Sequence, residues 1–87
     1  MDAKPKHKVG VVEHYFNNLS VAVVNVTSPL RVGDKIRIEN AHGQSIVEQT
    51  VDSMQIEHTK IAEAKPGQSV GMKMLDKVHK GNLVYKV

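Results

Sequence analysis

Between Pro29 and Asn40 the chain reads PLRVGDKIRIEN: a proline, a glycine-aspartate turn, then Ile36 and Ile38 alternating strictly with Lys35, Arg37 and Glu39. A period of two belongs to a strand with one buried and one wet face, because successive side chains of extended backbone point to opposite sides. The same pattern of turn and alternation recurs along the sequence, and no window holds apolar residues at sustained helical spacing. A chain built this way must bury its apolar faces by folding strands onto one another.

The strands can be placed from their punctuation. KVGVVEHYF (8–16) and LSVAVVNV (19–26) are Val-rich runs separated by Asn17 and Asn18, which tolerate positive φ, so they predict a first hairpin. Pro29 stops the second run because it has no N–H to give to a ladder, and Gly33-Asp34 turns the chain into a strand over 35–40. QSIVEQTVDSMQI (44–56) is extended, but its alternation slips: Ile46 shares a parity with Glu48, Val47 and Val51 share the other, and Met54 and Ile56 switch back. That slip predicts a β-bulge or a bend at a barrel corner. A short apolar element follows at Ile61 and Ala62, then a Pro66-Gly67 turn of type II. A strand over 69–74 sets Val70, Met72 and Met74 against Gly71 and Lys73, and Lys80-Gly81-Asn82 turns into a last strand at 83–87. At most one helical turn is expected, near 76–78. The predicted fold is all-β, a small closed antiparallel β-barrel, since closure hides the edges that such Val-rich strands otherwise expose.

The 87 residues suffice for one domain, expected over 8–87 behind a flexible basic tail at 1–7. A chain of this length buries roughly 60–65% of the surface its unfolded form exposes, so the core is small. Hydrophobic residues at 40% and charged residues at 24% set it apart from disordered compositions. With no cysteine, disulfides, thiolate nucleophiles and Cys-ligated zinc are excluded. MDAKPKHK at the start has no apolar segment of the signal-peptide kind, and no stretch is long enough to span a bilayer. A cytoplasmic protein without a membrane partner is the expectation.

Charge is concentrated at both ends. Residues 1–8 hold three lysines against one aspartate, 9–71 hold five basic against seven acidic groups, and 72–87 hold four lysines against one aspartate. Because chain ends of compact domains often lie close together, the two basic ends could merge into one patch facing a polyanion. The candidate residues are Lys4, Lys6 and Lys8 from the first end, with Lys73, Lys77, His79, Lys80 and Lys86 from the second. Lysines act as point charges suited to phosphate backbones and do not read base identity, so the contact expected is salt-sensitive and with structured RNA. The plainer reading is a solvated surface that keeps the protein soluble.

Other constellations carry less. His7, His14, His42, His58 and His79 fall in five segments without metal-ligand spacing, and the five serines carry no local signature of an activated nucleophile. No metal, cofactor or catalytic residue is therefore expected. Glu13 and His14 are neighbours that face opposite sides of a regular strand. Tyr15, Phe16 and Tyr85 are the only aromatics, too few for a base-stacking platform, and are expected in the core or closing a barrel end.

Taken together, VGVVEHYF, LRVGDKI, VDSMQI, AKPGQSVGMKM and VHKGNLVYKV resemble the second domain of the translation GTPases, the β-barrel that follows the nucleotide domain in elongation factor Tu and the initiation factors. The resemblance covers about residues 8–87. A looser one is to the barrel domains at the C-terminal ends of collagenase-like peptidases. Both imply a module that works beside a larger partner domain. The first implies contact with transfer RNA or ribosomal RNA. The chain has no G-x-x-x-x-G-K-[ST] loop and no Gly-Lys pair, so it is expected to bind no nucleotide and to hydrolyse no GTP. Two functions follow as expectations: a non-enzymatic translation-factor-like barrel that contacts structured RNA or the ribosome, or a protein-interaction adaptor that docks on a larger enzyme or GTPase.

Overall fold

A computed structural model describes residues 7–87. Ten strands follow one another: β1 (His7–Phe16), β2 (Val21–Val26), β3 (Leu30–Arg31), β4 (Lys35–Glu39), β5 (Ser45–Thr50), β6 (Met54–Ile56), β7 (Thr59–Ile61), β8 (Glu63–Ala64), β9 (Ser69–Lys73) and β10 (Leu83–Lys86). Eight form one antiparallel sheet in the order β5-β4-β10-β1-β2-β9-β6-β7, and β3 pairs with β8 in a second, two-stranded sheet. Among the described residues there is no helix, and the turn near 76–78 is irregular. Lys4 and Lys6 lie outside the described residues, as does the segment read as a tail apart from His7, which opens β1.

The inward faces follow the alternation. Ile36 and Ile38 of β4, Ala22, Val24 and Val26 of β2, and Val70 and Met72 of β9 are all buried in one cluster with Leu30, Val51, Met54 and Val84. Gly10 is required in β1 because a Cβ there would sit 2.6 Å from Val24 Cγ1 and 2.8 Å from the Asn25 carbonyl oxygen. The turns close as their residues dictate. Gly67 has φ +91 and the Gln68 N–H donates to the Lys65 carbonyl, the geometry a Pro-Gly type II turn needs, and Gly81 has φ +92 ahead of β10.

One expectation is met in finer detail and two change. The first hairpin turns through four residues, 17–20, and positive φ falls on Ser20 (54°) where Asn17 and Asn18 were expected to carry it. The slip in 44–56 has two causes: the β4–β5 register jumps between Ile38 and Glu39 so that Ile46 is bulged, as expected, and the β5 strand ends at Thr50, after which Val51 hydrogen-bonds to the Gly33 and Asp34 backbone before β6 begins. Closure is the third. The sheet ends at β5 and β7 with no ladder joining them, so the closed barrel is not found. At the β5 margin a side chain stands where a strand pairing would: the buried Gln49 amide donates to the Lys73 carbonyl (2.8 Å) and accepts from the Leu75 N–H (2.8 Å). The sheet is thus folded back far enough for β5 to meet the chain after β9, and that meeting is made by one amide.

Candidate functional site

The structure divides the expected basic patch in two. Lys8 and Lys86 lie beside each other at the start of β1, where Lys8 pairs with Tyr85 and His7 with Lys86. There Lys86 Nζ is 3.3 Å from Asp34 Oδ2. Lys77, His79 and Lys80 sit toward the other end, around a shallow hollow of about 290 Å³ that His14, Tyr15 and Asn17 also line. Lys73 is at that same end, two strands across, paired with Val21, which in turn pairs with Phe16. Six residues of strand separate Lys8 from His14, about 20 Å at the usual rise, so the described lysines form two groups and not one cluster.

The turn end is built by ordinary sheet geometry. In β9 the inward residues Val70 and Met72 leave Ser69, Gly71 and Lys73 on the outer face, and the same parity carried onward places Leu75 outside Met74. The Met74 N–H donates to the Ser20 carbonyl (2.8 Å), which holds the 74–75 segment against the β1–β2 turn. Phe16, Val21 and Lys73 then form a row across three strands, with Leu19 above them in the turn. Leu75 is 75% exposed, Leu19 61% and Phe16 43%, whereas the Ile, Leu and Val residues of the core are essentially closed to solvent.

Further along the same face, β1 is irregular. Its register against β2 jumps between Val12 and His14, so Glu13 is bulged, and both Glu13 and His14 end on the exposed side. The expectation that they face opposite sides fails for that reason. The Glu13 carboxylate accepts from Asn25 Nδ2 (3.1 Å) and from Ser69 Oγ (2.9 Å), tying β1 across β2 to β9. His14 packs edge-on against Phe16, with ring centroids 4.4 Å apart. The aromatic pair Tyr15 and Phe16 is split: Tyr15 packs against the core and Phe16 is exposed.

The other ion pairs lie in β4 and β5 and in the second sheet. Arg37 Nε lies 3.2 Å from the buried Glu39 carboxylate and 3.8 Å from Glu48, and Arg31 pairs with Glu63. Among the described residues, no ion pair involves Lys73, Lys77 or Lys80. Asp76 is the acid nearest in sequence, and its carboxylate accepts the Lys77 backbone N–H (2.9 Å). No group of three or more His, Cys, Asp or Glu among the described residues is placed to hold a metal ion. No helix among them is long and apolar enough to cross a membrane.

Sequence reasoning missed the apolar half of this end. Leu19 reads as the first residue of a Val-rich strand, and Leu75 follows two buried methionines. The available signals were parity, which puts Leu75 with Gly71 and Lys73, and the position of Leu19 immediately after Asn17-Asn18.

No protein-family profile matches the chain. Over 80 residues, 92% of its length, it is 36% identical to an uncharacterised protease of Methanocaldococcus jannaschii, of which it spans 19%. In fold it is similar to the C-terminal domain of a Geobacillus thermoleovorans protein named as a U32 peptidase. One crystal structure of that domain superposes with a TM-score of 0.84 at 20% identity, covering 99% of each chain. Its selenomethionine variant superposes with a TM-score of 0.83, also at 20% identity, covering 90% of this chain and 96% of that one. These findings overturn the translation-factor, RNA-contacting function: the sequence relative is a protease, and the fold relatives are a peptidase's C-terminal domain. Of the two resemblances read from the sequence, the looser one is the one supported, and the chain has the all-β fold of a U32 peptidase C-terminal domain.

Proposed function

We propose that this chain is a non-catalytic docking module that works against a larger peptidase-type polypeptide, as an adaptor and not as an enzyme. The observation that carries the reading is one of proportion: nearly the whole chain aligns with a protease, yet it accounts for only 19% of that protease. A domain of this fold has also been crystallised separately from the rest of its peptidase. The local chemistry agrees. Ser69 gives its hydroxyl hydrogen to Glu13 and His14 packs on Phe16, so these polar groups brace strands or cover a ring.

The test is affinity purification of the tagged chain from its native cells, with nuclease present throughout, and identification of the proteins retained. The reading predicts enrichment of a longer polypeptide similar to the protease relative outside the stretch this chain matches. It also predicts that the purified chain alone leaves casein and gelatin intact. Cleavage by the chain alone, abolished by no removable contaminant, would overturn the adaptor role, as would the absence of any peptidase-like polypeptide from the eluate.

A further inference from the structure

The turn end of the sheet combines two features that a freely solvated surface avoids. Three large apolar side chains, Phe16, Leu19 and Leu75, stand exposed within one region, joined through the Phe16-Val21-Lys73 row and the Met74–Ser20 hydrogen bond. Around them Lys73, Lys77 and Lys80 carry positive charge that no acid of the described residues neutralises in an ion pair. Arg31, Arg37 and Lys86 each have a carboxylate within ion-pair distance, while Lys8, Lys35, Lys60 and Lys65, like these three lysines, have none among the described residues, so what sets this end apart is open positive charge beside exposed Phe16, Leu19 and Leu75. An apolar centre with a charged rim is the anatomy of a protein interface, where the centre excludes water and the rim selects the partner by complementary charge.

We propose that this end, Phe16, Leu19 and Leu75 ringed by Lys73, Lys77 and Lys80, docks a protein segment or surface that presents apolar side chains flanked by carboxylates. The inference deepens the adaptor reading and rests on it for its biological setting, but its chemistry can be measured separately. The centre favours protein over nucleic acid, because two of its three side chains, Leu19 and Leu75, offer nothing to a phosphate and little to a base face, and a single exposed ring at Phe16 is no stacking platform. The charge complementarity fixes the partner's sign. The hollow lined by Lys77, His79, Lys80 and His14 adjoins the apolar centre through Tyr15 and Asn17, so one carboxylate of the partner has a recess to enter.

The experiment is an NMR titration of the isotope-labelled full chain with a synthetic peptide alternating Glu and Leu, and with the same peptide carrying Lys in place of Glu. The expected result is shift changes confined to the amides around 16–21 and 73–80, with the Lys peptide at least about tenfold weaker. Two variants keep the measurement specific. Leu19→Ser with Leu75→Ser, and Lys77→Glu with Lys80→Glu, should each weaken the Glu–Leu peptide by about tenfold or more, while Lys8→Glu with Lys86→Glu leaves it unchanged within about twofold. Amide spectra of each variant show directly whether the fold is intact. Shifts spread over the whole surface, equal response to both peptides, or no response to the Glu–Leu peptide would overturn the proposal. So would stronger perturbation of these same amides by transfer RNA or by vesicles of anionic phospholipid than by the Glu–Leu peptide. Failure here with peptidase capture intact moves the docking face elsewhere on the domain. Success here without such capture leaves the face and removes the peptidase.

Discussion

The two ends of β1 carry similar numbers of lysines in different company. At the start, Lys86 is held to Asp34, and the backbone is closed by the Val87 N–H donating to the Lys35 carbonyl. At the turn end, Lys73, Lys77 and Lys80 surround side chains as exposed as Leu75, at 75%. Both ends are cut from the same sheet and share one core, so strand pairing does not account for the contrast. A surface that only keeps a protein soluble can intersperse charges of both signs and cover its leucines. No exposed leucine stands beside the lysines at the start of β1 among the described residues, whereas the turn end exposes Leu19 and Leu75 beside three lysines, which is why the turn end is the place to look for a partner.

Substitutions test that contrast. The largest effect is expected from Ile38→Ala in the shared core, where Ile38 is fully buried between Val84 and Val47. Urea denaturation should show a loss of about 2–5 kcal/mol, and both ends should loosen together. Gly10→Ala strikes β1 where it crosses the core at Val24. The new methyl meets Val24 and the Asn25 carbonyl oxygen, and since the second is backbone and cannot swing aside, a loss of about 2–3 kcal/mol is expected by the same measurement.

Gln49→Leu acts at the turn end from behind. It removes the amide that serves both the Lys73 carbonyl and the Leu75 N–H, and should cost about 1–2 kcal/mol. Hydrogen exchange at the Leu75 amide should accelerate more than exchange at Val24 or Ile38. If the two rates rise equally, Gln49 supports the whole fold and not the positioning of Leu75. The smallest change in stability is expected from Leu19→Ser with Leu75→Ser, within about 0.5 kcal/mol for each exposed site. A large loss would mean that these leucines are needed by the fold itself, and the contrast between the ends would lose its meaning.

How far the sequence discloses this arrangement depends on whether a feature is local. Ile36 and Ile38 announce β4 because burial on one face writes itself into alternate positions. The turns at Pro66-Gly67 and Lys80-Gly81 are equally plain, since the positive φ at each second residue needs glycine. The bulge at Glu13 left no such mark: Glu13-His14-Tyr15 reads the same with or without an extra residue, and the register is fixed by pairing with Val23 and Val24 of β2, further along the chain. Closure was misjudged for a related reason. Nothing in the order of strands tells whether the last margin is completed by a ladder or by one glutamine side chain. The lysines stand out in the sequence, but their division between two ends depends on how β10 and β9 are placed around β1. The translation-factor function failed because turn-and-strand motifs report a fold, and folds are shared by proteins with different tasks.

The most direct test uses the lysines as their own reporters. The captured complex is treated with a reagent that couples lysine amines to carboxylates, and the sites of coupling are read by mass spectrometry. The account predicts that Lys73, Lys77 and Lys80 join to acidic residues of a peptidase-like polypeptide, and that Lys8 and Lys86 do so far less. Coupling dominated by Lys8 and Lys86, or no coupling to any such polypeptide from Lys73, Lys77 and Lys80, would contradict it.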